Sequence, residues 1–91
     1  MKWIEIIGIR SVESHRKILE SELQRLIDEM DKGRKKQVTM AYRRSFINTD
    51  FSIHIHNDTK KVENGGSRLG LCLANALKEF GLVNHSIWFE M

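Results

Sequence analysis

Two histidines separated by one residue, His54 and His56, are the residues best suited to chemistry in this sequence. They stand in a segment whose polar and apolar residues alternate, so both imidazoles would project from the same face of a β-strand. Imidazole is a metal ligand and the side chain whose charge changes closest to neutral pH. The pair therefore indicates acid–base catalysis, ligand binding or metal binding, and plain packing is the alternative without a function.

Two imidazoles alone do not complete a metal site, since zinc sites use at least three protein ligands. Glu5, on a strand predicted to lie beside the pair, would add a carboxylate and give a two-histidine, one-carboxylate set. Paired histidines on a half-buried strand are nevertheless more often packing and hydrogen-bonding residues. We therefore predict no metal and no cofactor, and we assign His54 and His56 to acid–base catalysis.

Arg43 is the third residue predicted to be catalytic, because the alternation of its strand places it beside His54. Its guanidinium would hold an anionic or enolate-forming substrate while a histidine moves a proton. The competing interpretation is that Arg43 pairs with Glu5 or Glu90 across an interface between two copies and only fixes their register. Trp3, Glu5 and Trp88 are predicted to bind the ligand, although tryptophan is also common at interfaces.

A glycine pair followed by serine and arginine, residues 65–68, opens the second predicted helix. Flexible backbone, a helix N-terminus and an adjacent cation resemble an anion-binding cradle in outline. The segment matches neither the GxGxxG nor the GxxxxGK[ST] pattern. A turn before a capping serine is therefore the alternative interpretation.

Hydrophobic periodicity predicts four strands and two helices around these residues. The strands cover residues 3–10, 37–44, 50–56 and 83–91, and the helices cover residues 12–32 and 67–80. Gly33 suits the left-handed position that ends a helix, and Asn48 suits a hairpin turn between the second and third strands.

The order βαββαβ predicts an α+β, ferredoxin-like domain over residues 1–91, with strand order 4-1-3-2 and both helices on one face of an antiparallel sheet. The more apolar alternating set is predicted to face the helices: Ile4, Ile6, Val38, Met40, Phe51, Ile53, Ile55, Ile87 and Phe89. The opposite face then receives Trp3, Glu5, Ile7, Ile9, Thr39, Ala41, Arg43, Ser52, His54, His56, Trp88 and Glu90.

This second face is not covered by a helix, and it is too apolar to be left in water over its whole area. A two-fold homodimer with the two sheets stacked face to face would bury it. Both sides of the first strand carry isoleucine, so the reverse assignment of that strand stays open. In that case Glu5 leaves the proposed site.

Composition excludes several classes of protein. A chain of 91 residues, 41% hydrophobic and 30% charged, is typical of one soluble globular domain. Its single cysteine cannot form an internal disulfide, which favours a cytoplasmic location, and no apolar run approaches the roughly 18 residues of a membrane span. A net charge of +3 and the lack of an aromatic RNA-binding pattern in the third strand argue against nucleic acid as a partner.

The βαββαβ order over the whole chain, a first strand that ends Gly8-Ile9-Arg10-Ser11 and a short last strand carrying Trp88 resemble the dimeric α/β-barrel superfamily. Within it, the chain is similar to the antibiotic-biosynthesis-monooxygenase-like proteins. The resemblance implies a barrel built from two sheets, with a cavity in each subunit. It also implies oxygenation of small aromatic or quinone-like compounds without a cofactor, whereas other members degrade heme. No catalytic residue of the family maps onto a position here.

Three functions therefore stay open. The first is a monooxygenase-like enzyme that acts on a small aromatic or anionic molecule. The second is a non-catalytic module, similar to ACT domains in topology, that binds a small metabolite at the dimer interface. The third is a purely structural dimer.

Overall fold

The computed structural model describes residues 1–30, 37–47, 49–62 and 65–91. The elements follow in the order β1 (Lys2–Ser11), α1 (Arg16–Met30), β2 (Gln37–Arg43), β3 (Asp50–Asp58), α2 (Arg68–Leu77) and β4 (Gly81–Phe89). A 3₁₀ turn, Glu13–His15, leads into α1. The predicted end of the first helix at residue 32, the glycine Gly33 after it and the turn residue Asn48 lie outside the described residues.

The four strands form one antiparallel sheet in the order β2-β3-β1-β4, which is the predicted order read from the other edge. The two central strands pair along their whole length, with Ile7 opposite Ile53. Helix α1 packs near β2, and α2 packs near β1 and β4. The predicted ferredoxin-like fold is confirmed.

The hydrophobic core lies between the sheet and the two helices. Helical spacing places Leu19 above Leu23 and Leu73 above Leu77, so each helix presents one apolar stripe to the strands. The side chains that form the core are Ile7, Ile9, Leu19, Leu23, Phe51, Ile53, Ile55, Leu73, Ala74 and Leu77. The prediction that β3 turns its large apolar residues toward the helices is therefore confirmed.

Strand β1 directs toward the helices the side that was predicted to face away from them, so the predicted assignment was wrong. Its buried positions are Trp3, Glu5, Ile7, Ile9 and Ser11, in strict alternation. Apolarity alone did not decide the orientation, because both sides carry isoleucine. The side that includes a carboxylate is buried because that carboxylate has hydrogen-bond partners beneath α2.

Strand β2 is also reversed with respect to the prediction. Thr39 is buried, whereas Val38 and Met40, predicted for the core, are exposed. The register is the cause: Val38 lies opposite His56, and residues directly opposite each other in a sheet share a face. Phe89, also predicted for the core, is 65% exposed at the end of β4.

We name the uncovered side of the sheet the open face. It consists of Ile4, Ile6, Gly8 and Arg10 of β1, Val38, Met40 and Tyr42 of β2, Asp50, Ser52, His54 and His56 of β3, and Leu82, Asn84, Ser86 and Trp88 of β4. Its large apolar side chains are 45–77% exposed at Val38, Met40, Tyr42, Leu82 and Trp88.

No helix of the described ranges is long and apolar enough to cross a membrane.

The position of the core predicts an asymmetry between two isoleucine substitutions, one on β1 and one on α1. Ile7→Ala removes a fully buried side chain and should lower the free energy of unfolding by about 3 kcal/mol. Ile18→Ala, at a position of α1 that is 61% exposed, should change it by less than about 0.5 kcal/mol. Urea denaturation measures both, and equal losses in the two variants would contradict the described core.

Candidate functional site

His54 and His56 lie on the open face, together with Trp88, as the sequence predicted. One row of this face runs across all four strands and contains Trp88, Ile4, His56 and Val38 in that order. The strand register thus brings an aromatic ring, two aliphatic side chains and an imidazole into neighbouring positions, a combination suited to a flat, largely apolar molecule.

The surroundings of His54 keep its imidazole uncharged. Its Nε2 atom lies 2.9 Å from Ser52 Oγ, and its ring centroid lies 4.7 Å from that of Tyr42. Burial lowers the pKa of His54 below the ordinary value of 6.5, and the nearby His56 lowers it further. The imidazole is therefore uncharged at neutral pH, the state in which it can accept a proton from a ligand.

Two concavities open at opposite ends of the open face. One, of about 620 Å³, is lined by Ile4, Val38, His56 and Trp88 among others. The other, of about 530 Å³, lies over Gly8, where the missing side chain leaves the central strand bare. Both are of the size that small-molecule sites occupy.

Three residues predicted for this site lie on the other side of the sheet, and their placement on the open face was wrong. Trp3 is buried, and its indole nitrogen donates to Thr59 Oγ1 over 2.8 Å. The guanidinium of Arg43 donates to Glu20 of α1 over 2.9 Å instead of lying beside His54. Glu5, the third, is fully buried beneath α2. These positions follow from the reversed orientation of β1 and β2.

Glu5 stands at the centre of a buried polar cluster. Its Oε1 accepts a hydrogen bond from the backbone N–H of Ser67 at 2.8 Å and lies 3.1 Å from His85 Nε2. Its Oε2 accepts from Asn57 Nδ2 at 2.9 Å and from the Ser67 hydroxyl at 2.5 Å. Among the described residues, no buried side-chain nitrogen or oxygen lacks a partner. A fully buried carboxylate is stable only with such partners.

The glycine-rich start of α2 does form an anion cradle, and the anion is the chain's own carboxylate. Ser67 caps the helix, since its Oγ accepts from the backbone N–H of Gly70 at 3.0 Å. Gly66 has a φ of +105°, and a Cβ there would lie 2.6 Å from Glu5 Oε1. A Cβ at Gly70 would lie 2.1 Å from the same atom. Only glycine at these two positions lets the carboxylate approach the helix.

Sequence reasoning missed the partners of Glu5. His85 is one of them: its side chain is only 15% exposed and contacts the carboxylate. The sequence does contain one signal of the cluster. Asn57 is a polar residue at a position of β3 that the alternation assigns to the helix-facing side. The glycine-rich segment before α2 was a second signal, but no local pattern indicated that it contacts β1.

The chain has the ferredoxin-like α+β fold, with an uncovered sheet face as its candidate site. It is similar to the solved structure of Rv0793 from Mycobacterium tuberculosis, at a TM-score of 0.73 and 14% sequence identity, over 100% of this chain and 96% of that one. Such a likeness shows the fold alone. No protein-family model and no curated protein matches the chain. In the described parts of the chain, no three His, Cys, Asp or Glu side chains stand close enough to hold a metal ion.

One glycine substitution in the cradle, with a matched control on the sheet, tests the position of Glu5. In an ordinary helix Gly→Ala stabilises by up to about 1 kcal/mol. Gly70→Ala should instead lower the free energy of unfolding by about 2 kcal/mol, because the added methyl group overlaps the Glu5 carboxylate. Gly8→Ala is the control, since its Cβ would meet no atom within 4 Å. A stabilised Gly70→Ala protein in denaturant titrations would show that Glu5 does not occupy the cradle.

Stability should also depend on pH through His54. Because the pKa of His54 is lowered on folding, the unfolded chain binds a proton at higher pH than the folded chain does. The free energy of unfolding should therefore fall as the pH drops below 6.5 and level off below the folded-state pKa. His54→Gln should remove this component, and His15→Gln, at an exposed position, should keep it. Denaturant titrations between about pH 8 and pH 5 measure this dependence, and a stability that rises on acidification would contradict it.

Proposed function

We propose that two copies of this chain pair through their open faces into an α/β barrel and bind a small, flat organic molecule between the sheets. The observation that supports pairing is the exposure of five large apolar side chains on one uncovered sheet face. A patch of this kind on a small protein marks an interaction surface. A second copy presents the same patch, so two copies related by a two-fold axis bury both patches against each other.

The row of residues at one end of the open face supports the choice of a flat, largely apolar ligand. Trp88 offers a flat surface for stacking, and Ile4 and Val38 offer apolar contacts in the concavity of about 620 Å³. His56 lies in the same row and His54 in the next one. An aromatic molecule with an acidic C–H or O–H group fits this combination.

The reaction that we propose is a cofactor-free oxygenation of the monooxygenase-like type. Uncharged His54 accepts a proton from an activated methylene group, and the resulting carbanion is oxidised by molecular oxygen. Overall, one methylene and one O₂ give one carbonyl and one water. The substrate supplies all the electrons, so neither a metal nor an external reductant is required.

Anthrone, whose methylene lies between two aromatic rings, is a suitable probe of this proposal. The protein should speed oxygen uptake and anthraquinone formation, and His54→Gln should reduce that rate about 100-fold without changing the assembly. The control is His15→Gln, which removes an exposed imidazole of the 3₁₀ turn, outside the open face. An oxygen electrode and the absorbance of the product give the rates.

Two results would contradict the assigned chemistry. A rate unchanged in His54→Gln would remove this residue from the mechanism. Saturable binding of anthrone without oxygen uptake would favour the non-catalytic binding module instead.

A further inference from the structure

The second concavity of the open face has an unbalanced charge. Arg10 of β1 and Arg44, next to the end of β2, both point to one carboxylate, that of Asp50. Arg10 Nε lies 3.3 Å from Asp50 Oδ1, and Arg44 Nη1 lies 3.2 Å from Oδ2. Two guanidinium groups thus share one negative charge, which leaves a net positive charge at this end of the sheet.

Most of the donor capacity of the two arginines remains unused. A guanidinium carries five N–H donors. Within the described residues, each of the two directs a single nitrogen at Asp50 and contacts no other acidic group. Both side chains are more than half exposed, at 68% and 58%. Each can therefore donate to a further acceptor without leaving Asp50.

The concavity between the arginines has the form of a small-molecule site. Gly8 leaves its floor open, and the neighbouring positions carry Ser52 and Asn84, whose side chains offer a hydroxyl and an amide. Tyr42 and Leu82 supply an aromatic and an aliphatic wall. Converging polar groups in an otherwise apolar hollow are characteristic of ligand sites.

We propose that Arg10 and Arg44 form an anchor for the carboxylate or phosphate group of a small molecule bound in this second concavity. Guanidinium groups bind such anions through paired, charge-assisted hydrogen bonds. Asp50 and His54 are four residues apart on β3, a separation of about 13 Å along the strand, and Ser52 lies midway between them. An aromatic acid held by the arginines would thus extend its ring toward His54. This inference rests on the proposed function for its choice of an aromatic ligand, but anion binding itself does not require a dimer.

Benzoate and benzyl alcohol, titrated by NMR into ¹⁵N-labelled protein at constant ionic strength, distinguish charge from shape. Benzoate should produce saturable shifts at the amides of Gly8, Ser52 and Asn84, and benzyl alcohol should bind at least about fivefold more weakly. Arg10→Gln and Arg44→Gln should each weaken benzoate binding about fivefold. Arg25→Gln removes a cation on α1, on the other side of the sheet, and should leave the affinity unchanged.

Asp50→Asn should change the benzoate affinity in the opposite direction from the arginine substitutions. A purely structural role of the arginines does not predict this. Removing the competing carboxylate should tighten benzoate binding about threefold to fivefold. Inorganic phosphate in place of benzoate shows whether the apolar walls contribute. Equal affinity for benzoate and benzyl alcohol, or unchanged affinity in both arginine variants, would overturn the anchor.

Light scattering on the same samples separates the two proposals. Anion binding by a monomer would leave the anchor standing and contradict the barrel. A dimer that does not bind benzoate at these amides would contradict the anchor alone.

Discussion

The hydrogen bonds of the Glu5 carboxylate are the constraint on which the remaining structure depends. A carboxylate that is fully removed from water is costly unless it is paired, and here backbone and side-chain donors from α2 and β3 surround it. These contacts fix which side of β1 faces the helices, because a shift of one residue would carry Glu5 to the other face, away from the backbone N–H and the hydroxyl of Ser67 that donate to it. They also hold the start of α2 against the sheet, where only Gly66 and Gly70 permit the approach.

The composition of the open face follows from that constraint. Once β1 is oriented by Glu5, its Ile4 and Ile6 must lie on the uncovered side, in register with Trp88, His56 and His54. A chain of this size buries only about 60–65% of its unfolded surface, so an apolar face left in water forgoes stability that a partner can supply. The same face carries an uncharged imidazole in its middle and two arginines at one end. Its apolar area favours association, and its polar groups favour a ligand with defined charge and orientation.

The sequence predicted the fold well because hydrophobic periodicity and chain order carry that information directly. It predicted the orientation of β3 because the alternation there is strict, from Phe51 to Ile55. It failed on β1, where both sides carry isoleucine, and on edge strand β2, where little of the strand is covered and the apolar residue Met40 faces outward. Pairing between Glu5 and the start of α2 is a contact over 62 residues, and local patterns do not encode it. A buried acidic residue is predictable only when its donors are already known.

Native mass spectrometry of freshly purified protein tests the central claim, that the open face is covered by a second copy around a small ligand. We expect a species of twice the 10.7 kDa chain mass, and Trp88→Ala should shift that species toward the single chain. Added mass on the dimer, released on denaturation, would identify the ligand. A monomer that persists at high micromolar concentration would contradict the account, because the exposed apolar face would then have no second copy to cover it.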